Sequence, residues 1–468
     1  MVGKIGSERP VGHKGKLLHM LRGMSPSQVL VLGFVAIVLF GGLLLSLPIS
    51  NASGLPMKFL DALFTSTSAT CVTGLVVVDT ATNFTRFGQV VILLLIQVGG
   101  LGFMAMATMI FLILGRRIGL KSRLLLQESF NRFSLSGLVK LTKVVMGLTF
   151  FVEGMGALLL FLRLKNFMPV GEAAFAGVFH SISAFCNAGF DVFGKVNGEF
   201  SSLAAYVEDG YIPLVIGALI VVGGLGFPVL AEVLSMNAGR NTHISIHTRL
   251  VLKITAFLLA FGAVAIFVLE YTNPETLQGL PFIHKVINSI FTSITPRTAG
   301  YNTISVSGLR DSTSLLIMIL MFVGASPSST GGGIKTVTAG VLFMSLASTI
   351  RGDDAVEIHE RRIPAEQVMR ATAVVILAAL VVLAGTLIVS MAEKAPFIDV
   401  MFEVISAFGT VGLSRGLTPQ LSSISRLVII VIMLMGRLGP LTFAVALNYR
   451  KSVSKVRVKF PEEHVMIG

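Results

Sequence analysis

The chain has 468 residues, of which 53% are hydrophobic and only 13% charged, with a mean hydropathy of +0.84. Soluble domains carry about twice that share of charge, which excludes an ordinary soluble enzyme. The formal net charge of +13 would suit nucleic-acid binding, but its placement argues against it. About 24 of the 37 Lys and Arg fall in the two termini and in alternate loops between the apolar blocks, a membrane-topology signal.

In chain order, Met1–Ser27 is polar and basic. Apolar blocks near the ~20 residues that cross a bilayer then follow at Val29–Ile49, Phe87–Leu114, Leu141–Leu162, Tyr211–Leu234, Leu250–Leu269, Leu315–Ile350, Val368–Met391 and Leu427–Leu447. Leu315–Ile350 is too long for one simple span. The first block runs too long for a cleavable signal peptide. Between the blocks lie the basic stretch Arg116–Lys140, which reads equally as a membrane-surface helix or a solvated one. Asn237–His247 and the mixed-charge loop Arg351–Glu366, with Asp353, Asp354, Glu357, Glu360, Arg361 and Arg362, complete the set, and Asn448–Gly468 forms a tail. Putting the positive loops inside places both termini in the cytoplasm.

Four shorter apolar segments each run into a small-residue turn that ends in glycine: Phe59–Leu75, Ala173–Phe190, Phe282–Tyr301 and Phe397–Leu413. Their glycines, Gly74, Gly189, Gly300 and Gly412, are spaced by about 115, 111 and 112 residues, the mark of an internal repeat. The sixth residue upstream is Ser68, Ser183, Ile294 and Ser406. Each segment is too short to span and suits a re-entrant half-helix. The chain therefore reads as an all-α integral membrane protein of four helix–half-helix–helix repeats, with eight transmembrane helices and four re-entrant pore helices in pseudo-fourfold symmetry around one pore. The expected units are a cytoplasmic segment 1–28, repeats at 29–114, 141–235, 250–350 and 367–448, and a cytoplasmic tail 449–468.

A cation crosses a bilayer only if other oxygens replace its water, and rings of backbone carbonyls do this in potassium filters. Consecutive carbonyls aimed at one axis need backbone angles that glycine tolerates. A short helix ending at the axis adds its negative C-terminal dipole. Candidate filter residues are Val72, Thr73 and Gly74; Asn187, Ala188 and Gly189; Thr298, Ala299 and Gly300; and Thr410, Val411 and Gly412. Thr410-Val411-Gly412 matches the start of the TVGYG filter. None of the four continues to a second glycine, so fewer ion sites or weaker selectivity are expected. The competing reading is that these glycines pack membrane helices.

The sixth block is interrupted at Gly324–Gly333, a polar stretch with a proline and three consecutive glycines, expected to break the helix in mid-membrane. This makes Ser326, Ser328, Ser329, Thr330, Gly331, Gly332, Gly333 and Lys335 gate candidates. Of the four repeats, only the third shows this interruption, and the clusters at Gly99–Gly102 and Gly223–Gly226 read as helix packing. GGGIKT is no phosphate loop, because Ile334 separates glycine from lysine. Arg437, inside the last block, reads as a latch or electrostatic barrier near the inner pore, or as a structural ion pair or a side chain snorkelling to the inner boundary. Glu153 and Glu232 lie in or near spans, where neighbours would pair with them. Cys71 and Cys186 read as free thiols, with a disulfide as the other reading.

These features resemble the Ktr/Trk/HKT superfamily of potassium transport proteins, in particular its KtrB-type membrane subunits, over Val29 to about Asn448. The resemblance implies a potassium-translocating pore subunit of a bacterial uptake system, not an enzyme. It implies that K+ is the transported ion, bound at filter carbonyls only, that Na+ acts as an activator, and that the chain itself carries no cofactor. The implied partners are a second copy in a homodimer, membrane lipid, and a cytoplasmic KtrA-type ring of regulatory subunits binding ATP or ADP, with no nucleic acid. The implied location is the bacterial plasma membrane. A sodium-coupled secondary transporter of a small solute is the alternative, although four parallel copies fit it poorly. An intramembrane enzyme finds no paired catalytic groups in the spans.

Overall fold

The computed structural model describes residues 25–102, 105–106, 138–237, 244–353, 355–358 and 361–447. The stretches 1–24 and 448–468, most of Arg116–Lys140, and Asp354 and Glu360 lie outside the described residues.

Each repeat begins with an unbroken apolar helix: Pro26–Ser46, Leu138–Leu164, Ile246–Glu270 and Ala365–Ala392. All four are long and apolar enough to cross a membrane. The first starts at a capping box, in which Ser25 accepts from the Gln28 N–H while the Gln28 side chain accepts from Ser25 N–H. Large apolar side chains on these helices point outward, among them Phe40, Phe151, Phe257, Val268, Leu383 and Met391. In water such a belt would be an aggregation surface; in lipid it is the solvent-facing side.

A pore helix follows in each repeat: Phe59–Cys71, Val170–Phe185, Phe282–Ile294 and Phe397–Gly409. Three of them start directly after a proline, Pro169, Pro281 or Pro396, whose fixed φ leads into a helix without needing an N–H. They are 13 to 16 residues long, or about 20–24 Å, so none crosses the hydrocarbon core. Their first turns are exposed, as at Phe59, Val170, Phe282 and Phe397, but unlike the first helices they become largely buried toward their C-terminal ends.

The second helix is broken in repeats 2, 3 and 4, and its described part in repeat 1 is a single rod. It is Arg86–Leu101 in repeat 1, Tyr211–Gly224 with Phe227–Asn237 in repeat 2, Asp311–Phe322 with Thr336–Arg351 in repeat 3, and Ser423–Leu438 with Pro440–Leu447 in repeat 4. The pairs in repeats 2 and 4 bend by 98° and 101°. Repeat 3 is interrupted where its proline and glycines predict. The expectation of continuous spans at Tyr211–Leu234 and Leu427–Leu447, with an interruption in the third repeat alone, is corrected. The breaks occur at Gly226 (φ +93°) and Gly439 (φ +86°), and Gly102 (φ +80°) ends the helix at the matching place in repeat 1. A single glycine taking positive φ ends a helix without needing a proline. A two-stranded hairpin, Glu357–Ile358 with Arg361–Arg362, adds a small β element between repeats 3 and 4.

On the face where the filter strands emerge, loops clasp the repeats in a circle. Asp79 of repeat 1 accepts from the Phe200 N–H of repeat 2 at 3.0 Å. Asn302 N–H of repeat 3 donates to Ser202 Oγ of repeat 2, and the Asn302 carbonyl accepts from Leu203 N–H. Arg415 of repeat 4 donates to Leu309 and Ser314 of repeat 3. An Arg426–Asp61 ion pair joins repeat 4 back to repeat 1.

Candidate functional site

The four glycines predicted from spacing meet at one place. A Cβ added to Gly74 would lie 2.5 Å from the Ala188 carbonyl oxygen, one on Gly189 2.6 Å from that of Ala299, one on Gly300 2.5 Å from that of Val411, and one on Gly412 2.3 Å from that of Thr73. The chain of contacts closes on itself in the order 1–2–3–4–1, so repeats 1 and 3 face each other across the axis, as do repeats 2 and 4. No side chain fits at these glycines, and all four have positive φ, between 69° and 93°.

The strand leading to each glycine is strained in the same way four times. Val72, Asn187, Thr298 and Thr410, two residues upstream, sit at φ +58°, +60°, +72° and +50°. Three of them are β-branched, for which this region is unfavourable by about 1–3 kcal/mol each. Positive φ at both flanks of one ordinary residue turns successive peptide carbonyls toward one side. Such strain persists only where the surroundings over-determine it, and here they do. Gly74 N–H donates to Ser68 Oγ at 3.0 Å, and Gly412 N–H to Ser406 Oγ at 3.1 Å. Ser183 Oγ donates to the Phe190 carbonyl at 2.8 Å. The sixth-upstream pattern fails at Ile294, and the structure shows why this does no harm. Thr295, one residue later, donates to the Tyr301 carbonyl at 2.6 Å and takes over the role.

Directly beneath lies the interrupted stretch of repeat 3. Gly332 N–H donates to Thr410 Oγ1 at 3.0 Å, and a Cβ on Gly331 would lie 2.0 Å from Thr298 Oγ1. Thr330 donates toward the Phe185 and Gly223 carbonyls of repeat 2, both at 3.2 Å. Ser326 N–H reaches the Gly224 carbonyl at 3.1 Å, and the Ser328 carbonyl accepts from Phe227 N–H at 3.0 Å. Ser329 caps the turn by donating to the Ser326 carbonyl at 2.7 Å. Gly333 N–H donates to the Gly436 carbonyl of repeat 4 at 3.2 Å. Lys335 Nζ folds back onto the Gly331 carbonyl at 2.7 Å. The segment is therefore fastened to the break of repeat 2, to the break of repeat 4 and to two filter strands.

Arg437 supplies the link to repeat 1. Its guanidinium donates to the Thr330 carbonyl and to the Gly99 carbonyl, and to that of Gly100 at 3.0 Å. Among the described ion pairs none involves Arg437, so backbone carbonyls rather than a carboxylate hold it. All of the sequence-predicted filter and gate residues thus lie in one column. Glu153 pairs with Gln97 at 3.2 Å, and Glu232 accepts from Ser245 Oγ at 2.7 Å and from Thr248, as expected of carboxylates in or near spans. Both cysteines are free thiols and buried. What the sequence reading missed is the set of polar side chains behind the filter, chiefly His180, Glu403 and Asp399. Their only signal was a titratable residue within an apolar half-helix.

A family model for TrkH, described as a cation transport protein, matches residues 25–454. The chain belongs to the TrkH family of cation transport proteins. This TrkH-family chain is 42% identical over 455 residues to the Ktr system potassium uptake protein B of Bacillus subtilis, covering 97% of this chain and 99% of that one. It is 37% identical to the potassium/sodium uptake protein NtpJ of Enterococcus hirae, with 95% and 98% covered. It is 35% identical to the Ktr system potassium uptake protein B of Vibrio alginolyticus, with 94% of each chain covered. The crystal structure of the potassium transporter TrkH from Vibrio parahaemolyticus shares the fold, at a TM-score of 0.72 and 18% identity, over 92% of this chain and 86% of that one. The TrkH-family chain is thus a multi-pass membrane protein for ion transport rather than an enzyme.

Proposed function

We propose that the protein is the potassium-translocating pore subunit of a bacterial uptake system. The closed ring of Gly74, Gly189, Gly300 and Gly412 carries this reading, because a ring-shaped site of backbone carbonyls accounts for four strained strands converging without side chains. K+ leaves its water at the mouth and is held by the carbonyls of Val72, Thr73, Asn187, Ala188, Thr298, Ala299, Thr410, Val411 and the glycines. One glycine per strand limits the cage to fewer ion sites than a longer filter has.

The segment Ser326–Gly333 is the gate and Arg437 its latch. In the arrangement described, this segment crosses beneath the filter, and conduction requires it to move aside. Moving it breaks the Arg437 bonds to Thr330, Gly99 and Gly100. Arg437 and Lys335 also put positive charge on the ion path and so oppose a cation there. The finer parts of the reading rest on the resemblance to KtrB-type subunits and on the charge of the loops. They are a plasma-membrane homodimer with cytoplasmic termini, a KtrA-type ring binding ATP or ADP that drives the gate, and Na+ as an activator. Expression in a potassium-uptake-deficient bacterium, with and without a co-expressed regulatory subunit and across K+ and Na+ concentrations, tests them together. Growth at micromolar-to-millimolar K+ supports the pore; no growth from a chain present in the membrane contradicts it.

A further inference from the structure

Nine residues before each filter glycine, one buried pore-helix side chain stands behind the filter strand: Thr65, His180, Phe291 and Glu403. The four do different things. Thr65 donates back to the Asp61 carbonyl of its own helix at 2.9 Å, and Phe291 is apolar. His180 Nδ1 lies 2.7 Å from the Ala176 carbonyl and so carries the proton. Its Nε2 then accepts from the backbone N–H of Val192 at 3.3 Å, on the strand leaving the repeat 2 filter. The imidazole is fixed by stacking on Phe193, with ring centroids 4.0 Å apart.

Glu403 grips the corresponding strand of repeat 4. One carboxylate oxygen accepts from Ser414 Oγ at 2.8 Å and the other from Thr418 Oγ1. One helical turn earlier, Asp399 accepts from Arg415 Nε at 2.6 Å, and Arg415 reaches on to Ser314 of repeat 3 at 2.5 Å. Glu403 has no solvent exposure. A carboxyl group in such a place costs stability unless its oxygens are satisfied, and both are satisfied by the strand it holds.

The ring order puts repeats 2 and 4 opposite each other across the axis. Side chains reaching from this register to the outgoing strand therefore occur on one facing pair, and repeats 1 and 3 have none. We propose that His180 and Glu403 are positioning residues for ion selection, which fix the two facing strands and so set the carbonyl separation across the pore. The inference rests on the potassium-pore reading. Carbonyl cages choose K+ over the smaller Na+ through the number, spacing and field of the oxygens. A strand freed from its brace relaxes the positive-φ strain at Asn187 or Thr410, and the cage then fits the smaller ion better.

The test is K+ and Na+ uptake by full-length chain in cells lacking their own potassium uptake, with membrane levels measured for every variant. Glu403→Ala and His180→Phe, which keeps a stacking ring but loses the acceptor, each lower the K+-over-Na+ uptake ratio about tenfold, the worth of one buried hydrogen bond. Glu403→Gln, which can still meet both hydroxyls, stays within about twofold of wild type. Thr65→Ala leaves the ratio unchanged. Wild-type ratios in Glu403→Ala and His180→Phe, or an equal loss in Thr65→Ala, overturn the proposal. If Glu403→Ala does not reach the membrane, Ser414→Ala decides in its place, with a lowered ratio supporting the brace and an unchanged one refuting it. Failure of the wild-type chain to take up K+ is a separate result and contradicts the pore reading itself.

Discussion

At the filter the four repeats do nearly the same thing, and one layer below they do not. In the ring, every repeat contributes a positive-φ residue, an ordinary residue and a glycine, and every glycine meets the next repeat's carbonyl. Beneath it, repeat 3 sends a loop under the axis, repeat 4 sends an arginine, and repeats 1 and 2 offer carbonyls to receive them. An ion on the axis is best held by oxygens from all sides, which favours near-equal repeats. A barrier needs a part that can leave, and one loop leaves more readily than four. Under the proposed function, selection belongs to the symmetric layer and control to the asymmetric one.

The comparison breaks most severely at the ring. Gly300→Ser places a Cβ 2.5 Å from the Val411 carbonyl oxygen and forces a side chain into positive φ. The half-saturating K+ concentration for uptake should rise about tenfold or more; an unchanged value separates the ring from selection. Deleting Ser326–Gly333 should act on rate instead, raising uptake without the regulatory subunit by roughly tenfold, a typical coupling energy for a gate. Unchanged flux in a folded protein would take the gate away from this loop. Arg437→Ala removes three donated bonds but leaves the loop in place, so the leak should rise by about threefold to fivefold, with ion preference unaltered. A shifted K+/Na+ ratio would mean that the two layers are not separate. Gly226→Ala should have the smallest effect. Its Cβ would press on the Pro327 carbonyl at 2.5 Å, displacing one end of the loop and raising leak by about twofold; a tighter closed state would reverse that sign.

The sequence showed the ring more fully than the gate. Four glycines at near-equal spacing, each ending a short apolar segment, are visible because a repeat multiplies a weak signal. The interruption of repeat 3 is visible because Pro327 and Gly331–Gly333 cannot continue a helix. The breaks at Gly226 and Gly439 were not legible, since a lone glycine in an apolar run reads equally as a packing residue. Gly223 and Gly436 do pack, each leaving no room for a Cβ against a pore-helix carbonyl, while the glycine three residues on takes positive φ and turns the chain. The same four-residue cluster performs both tasks, and only backbone angles separate them. The hydroxyl at Thr295 escaped for a related reason. Its strand needed a donor at that place in space, which a one-residue shift supplies as well as strict alignment does. Glu403 was passed over because its partners, Ser414 and Thr418, lie beyond the filter turn.

The central claim is that Gly74, Gly189, Gly300 and Gly412 form one site rather than four packing positions. The most direct test is the half-saturating K+ concentration for uptake, measured for the four single glycine-to-serine variants in one host. The ring predicts that all four raise it, by similar factors, because each substitution intrudes on a shared cage. Wild-type affinity in any variant that reaches the membrane would contradict a single four-part filter.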